Sequence, residues 1–101
     1  MEMHFLVNST ASIMETSNGG YVCIAGTESS REFGGYKAAI KFAVTRICYM
    51  NDAIDYDGMS AVVFYRDGEP SYYNSFRTTD FIDFEKGIEK RLVLAAKGYF
   101  H

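Results

Sequence analysis

Three aspartates crowd ahead of a glycine in the stretch "YMNDAIDYDGMSAVVFYRDGEP", residues 49–70: Asp52, Asp55 and Asp57, then Gly58. Carboxylates at alternate positions before a glycine can ligate calcium, because a hard cation takes oxygen ligands and the loop needs a sharp turn. An EF-hand loop requires oxygen ligands at positions 1, 3 and 5, Gly at 6 and Glu at 12. With Gly58 at the sixth position, Asp55 and Asp57 fit, but Ala53 falls at the first and Phe64 at the twelfth. The first and the bidentate ligands are both missing, and no metal or other cofactor is expected. A helix end running into a strand explains the same residues: Asp52 and Asp55 close the helix and Asp57-Gly58 makes the turn. Negative charge at a helix C-terminus opposes the macrodipole. A basic partner would relieve it.

Other chemistry is sparse. His4 and His101 are the only histidines, and neither can be paired with a nucleophile from spacing alone. Cys23 and Cys48 match no metal or redox spacing and read as buried fillers with free thiols. Gly34-Gly35 precedes a helical pattern, so an anion could sit at that N-terminus with Arg31 beside it. No catalytic constellation can be assembled, and the chain is expected not to be an enzyme.

The elements that hold these residues follow from periodicity. Residues 2–16 alternate, with Met3, Phe5, Val7, Ala11 and Ile13 on one parity, as a half-buried strand does. Asn18-Gly19 is a type I′ hairpin signal, and residues 20–27 return with Ile13 facing Ile24. Residues 28–35 read as a loop. Tyr36, Ala39, Ile40, Ala43, Val44, Ile47 and Ile54 then recur at helical spacing, predicting a helix over 36–54. "SAVVFYR" (60–66) and "PSYYNSF" (70–76) form a second hairpin about Asp67-Gly68, with Arg66 and Glu69 opposed as an ion pair and Pro70 on an outer strand. Thr79 or Asp80 caps a last helix whose stripe is Phe81, Phe84, Ile88, Leu92 and Ala95, with Gly98 at its end. The expected fold is α+β: a ββα-ββα order, giving a four-stranded antiparallel sheet with two helices on one face, in a single domain over 1–101.

In that register Ala61, Val63, Tyr65, Tyr72 and Phe76 share one sheet face, and Val62, Phe64 and Tyr73 share the other with Ser60, Ser71 and Ser75. The helices are expected on the face with fewer serines. Val62, Phe64 and Tyr73 would then form an open contact surface, covered by a second subunit as a homodimer or by another partner.

Composition narrows the function classes. Apolar residues make up 48% and charged residues 23%, ordinary for a soluble globular chain. The net charge of −3 lies wholly in the second half, which carries six basic and nine acidic groups. Such a balance disfavours nucleic acid, whose binding needs a basic surface to release counterions. No stretch approaches the roughly 20 apolar residues of a membrane span. No secretory leader pattern is present, so a cytoplasmic location is expected. The expected function is a small non-enzymatic interaction protein that binds and inhibits or adapts a partner protein, in the manner of small phage and mobile-element inhibitors. Asp52, Asp55 and Asp57 would join Val62, Phe64 and Tyr73 in that interface, against a basic surface. The alternative is a small anionic-ligand-binding or sequestering protein using Arg31, Gly34 and Gly35, or a dimer interface.

Overall fold

The computed structural model describes residues 10–81 and 83–100. The expected alternation of Met3, Phe5 and Val7, and both histidines, lie outside them. The described chain forms β1 (Thr10–Glu15), β2 (Tyr21–Ala25), β3 (Glu28–Ser29), α1 (Tyr36–Ala53), β4 (Ser60–Arg66), β5 (Glu69–Phe76), one 3-10 turn (Thr78–Asp80) and α2 (Phe84–Tyr99). The fold is α+β, with two helices and a five-stranded mixed sheet in the order β3-β2-β1-β4-β5.

The expected four-stranded antiparallel sheet is corrected by one short element. β2 turns through Gly26, whose φ of 63° suits the first position of a type II′ turn, into β3. The chain then runs back along β2 as far as Phe33, which exchanges backbone hydrogen bonds with Tyr21. That extra reversal changes the direction in which α1 starts. Its 18 residues span about 27 Å at 1.5 Å each. This returns the chain to the end where β1 began, so β4 lies parallel to β1. The segment "ESSREF" has no apolar alternation to announce a strand.

Both hairpin registers also differ from expectation. Around Asn18-Gly19, Gly19 alone has positive φ (80°), and Thr16 closes the loop by hydrogen bonds with Gly19 and Gly20. This is a three-residue loop ending in a left-handed glycine, and it sets Ile13 opposite Cys23 instead of Ile24. Around Asp67-Gly68 the type I′ turn forms as expected, with φ of 55° and 79°. A β-bulge follows at once: Tyr65 faces Pro70, but Phe64 faces Tyr72 and Val63 faces Tyr73. The extra residue flips the parity of β5 relative to β4. Arg66 pairs with Glu15 (Nε to Oε1, 3.8 Å), not with Glu69, and lies 4.5 Å from the centre of the Tyr99 ring.

The core lies between one sheet face and the two helices. Ala11 and Ile13 of β1, Tyr21, Cys23 and Ala25 of β2, and Val62 and Phe64 of β4 meet Ala39, Ile40, Ala43, Val44 and Ile47 of α1 and Ile88, Leu92 and Ala96 of α2. Alanines and a cysteine on both sides let α1 lie close to β2. The Val62 and Phe64 side chains are fully buried, so they belong to the helix-covered face and not to an open one. The serine count misjudged the faces because Ser60 is itself buried under α1's end, where its hydroxyl accepts from Asn51 Nδ2 at 2.8 Å. The Phe64 ring packs at a tilt against three others, its centre 5.1 Å from that of Phe100, 5.2 Å from Tyr72 and 5.8 Å from Tyr99. Burying each large side chain contributes roughly 1.5–3 kcal/mol.

The last helix begins later than Thr79 or Asp80 would set it. Phe81 is extended after the 3-10 turn, Asp83 occupies the N-cap position, and Gly98 stays inside a helix that ends at Tyr99. Its buried stripe is Ile88, Leu92 and Ala96, while Phe84 is exposed.

Candidate functional site

α1 ends in a Schellman arrangement built from the aspartate stretch. Tyr56 N–H donates to the Asn51 carbonyl at 2.8 Å, and Asp55 N–H to the Asp52 carbonyl at 3.3 Å. Asp55 takes the left-handed position with φ of 52°. Aspartate tolerates that region better than most side chains, and glycine is the usual occupant. The next turn is held by Tyr56, whose hydroxyl donates to the Met59 carbonyl at 2.7 Å. The Tyr56 ring folds over Gly58, where a Cβ would sit 2.5 Å from the phenolic oxygen. Gly58 thus permits a close approach. Asn51, buried, ties the helix end to Ser60 at the start of β4.

This construction turns all three expected carboxylates outward. Asp52, Asp55 and Asp57 are exposed. They line one cavity of about 290 Å³ with Cys48, Asn51, Tyr56, Thr78 and Phe84. Among the described residues no three His, Cys, Asp or Glu side chains converge as a metal site. Phe84, in the cavity wall, is 41% exposed, and the fold also leaves Ile54 (49%) and Met59 (45%), in the loop that carries the aspartates, in water. Periodicity assigned Ile54 and Phe84 to buried stripes. Ile54 is released because the helix stops at Ala53, and Phe84 because it is the first residue of α2. Thr78 and Phe84 come from a distant part of the chain, and no spacing pattern links them to the aspartates.

Cys48, buried, also lines the cavity. Burial, reinforced by the nearby Glu85 carboxylate, pushes its thiol up to about 11. Cys23, under α1, is pushed up to about 12 by burial alone. Both remain protonated thiols near neutrality and are poor nucleophiles there.

The remaining expected site residues are separated. Tyr73 is 65% exposed on the sheet face away from the helices, together with Ile24, Val22, Met14 and Tyr65, while Val62 and Phe64 lie beneath the opposite face. An open face with apolar residues therefore exists, but with the other parity of β4. At the N-terminus of α1, Gly34 and Gly35 line a shallow cavity with Tyr21, Tyr36 and Lys37. Arg31 is not among its lining. Its guanidinium lies 4.7 Å from the centre of the Phe33 ring and donates to the Glu32 carbonyl. The cation at that helix start is Lys37.

Comparison with protein families, with curated proteins and with solved structures found no match. No helix among the described residues is long and apolar enough to cross a membrane.

Proposed function

We propose that this chain is a non-enzymatic interaction protein that docks a partner protein through the acidic end formed by the C-terminus of α1, the loop 54–59 and the start of α2. One observation carries the reading: three exposed carboxylates and the exposed Phe84 line a single cavity, and the loop that carries the carboxylates leaves Ile54 and Met59 in water. From Cys48 to Tyr65 there is no basic residue, so nothing in that stretch neutralises Asp52, Asp55 and Asp57. The fitting partner presents basic groups around an apolar contact, since charge complementarity steers encounter and desolvated apolar groups hold the complex. Inhibition or adaptation of that partner, in a cytoplasmic setting, is the role this surface suits.

The test is capture from a lysate of the source organism by the wild-type chain and by the Asp52→Asn, Asp55→Asn, Asp57→Asn triple variant. Asparagine keeps the left-handed position at residue 55. A partner retained at low salt, released by about 0.5 M salt and lost with the triple variant supports the reading, with association slowed about tenfold. Capture that ignores both salt and the substitutions overturns it. The competing anion-binding reading has weaker support, because Arg31 is engaged with Phe33 and does not line the cavity at Gly34 and Gly35.

A further inference from the structure

The two sheet edges are protected very differently. β3 is two residues long, exposed and carries Glu28, so it offers almost no template for pairing. β5 is eight residues long and, among the described residues, is bonded only to β4. Among the described residues no backbone hydrogen bond reaches its outer side. The usual devices against edge pairing are charged side chains, proline and bulges. In β5 the proline and the bulge are confined to the hairpin end, and Ser71–Phe76 carries no charge at all.

We propose that the outer edge of β5 pairs antiparallel with β5 of a second copy of this chain, joining two sheets across a two-fold axis at Tyr73. The charges at the ends of the strand select this register. With Tyr73 on the axis, Glu69 of each copy falls at the same end of the pair as Arg77 of the other. Neither side chain is ion-paired within the described residues of its own chain. A register one residue away sets Glu69 toward Ser75 and leaves both charges unmatched. On the open face the two Tyr73 rings become cross-strand neighbours, a pairing that aromatic residues favour. On the helix side Tyr72 of one copy meets Asn74 of the other. Identical strands paired antiparallel form an isologous contact that closes on itself. Because β3 is too short to pair, the assembly stops at a dimer and does not grow into a fibre. The proposal is independent of the acidic end of the molecule.

Analytical ultracentrifugation of the full chain tests it. The wild type should sediment as a dimer in equilibrium with monomer. Tyr73→Lys, which places two like charges at the axis on an exposed position, should give a monomer with unchanged circular dichroism. Glu69→Lys and Arg77→Glu should each weaken dimerisation about tenfold, and the double variant should restore it. That rescue is not expected of a structural defect. The Asp52, Asp55 and Asp57 triple variant should dimerise as the wild type does. A wild type that stays monomeric up to roughly 1 mM, a concentration at which even weak association is populated, overturns the proposal. So does a dimer indifferent to Tyr73→Lys, or a double charge variant no better than the single ones.

Discussion

The two hairpins carry the same kind of turn signal and use it differently. Asp67-Gly68 forms the two-residue turn its residues favour, with both at positive φ. Asn18-Gly19 does not: Gly19 is left-handed, Asn18 is not, and the loop takes in one more residue. In both cases the final register differs from the one the turn alone dictates, because burial outranks turn preference. A one-residue slip moves every side chain of a strand to the other face. In the first hairpin the longer loop puts Tyr21, Cys23 and Ala25 under α1 and leaves Ile24 partly in water. In the second, a bulge after the turn keeps the tight geometry yet still delivers Tyr72 and Phe76 to the face of Phe64. A turn dipeptide locates a reversal. The packing decides which residues face each other across it.

The largest expected effect separates the two faces of the second hairpin. Phe64→Asp puts a carboxylate into a fully buried aromatic cluster and should cost more than about 4 kcal/mol, most of the stability of a marginal domain. Tyr73→Asp, on the exposed face, should change stability by under about 1 kcal/mol. Denaturant unfolding followed by circular dichroism reads both. A Phe64→Asp protein as stable as the wild type would return Val62 and Phe64 to the open face.

An intermediate effect belongs to the first hairpin, whose Cys23 thiol is buried opposite Ile13. Its folded value, about 12, lies above the ordinary thiol value, so the folded state holds a proton that the unfolded chain releases first. The sign follows: this contribution is fully present below the unfolded thiol value and is lost as pH rises towards the folded one. Cys48, at about 11, and Tyr21, raised by burial and then by Glu15, act in the same direction. Stability should therefore fall between about pH 9 and 12, and Cys23→Ala should make that fall shallower. An unchanged slope in Cys23→Ala would show that thiol to be accessible.

The smallest effect sharpens the contrast between the turns. Asp67→Ala forces an alanine into φ of 55° and should cost about 1 kcal/mol, whereas Asn18→Ala requires no positive φ and should cost under about 0.5 kcal/mol. Equal costs in thermal melts would mean that the two turns share one geometry.

Much was legible locally. The helix over 36–54 ends one residue earlier, and the strand over 60–66 forms as read, because an apolar period of 3.6 marks the one and a short apolar and aromatic run bounded by turn residues marks the other. The aspartate stretch also read correctly as a helix end and a turn, since the Schellman bonds and the Tyr56–Gly58 contact are all formed within a few residues. Tertiary structure alone decided three things: that β1 and β4 pair in parallel, that Val62 and Phe64 lie beneath the helices, and that Thr78 and Phe84 join the aspartates around one cavity. Each depends on residues far apart in sequence, and the parallel pairing turned on a two-residue strand with almost no sequence signature. Periodicity states that a strand has two unlike faces. Only the competition among all strands and helices for the same buried volume chooses between them.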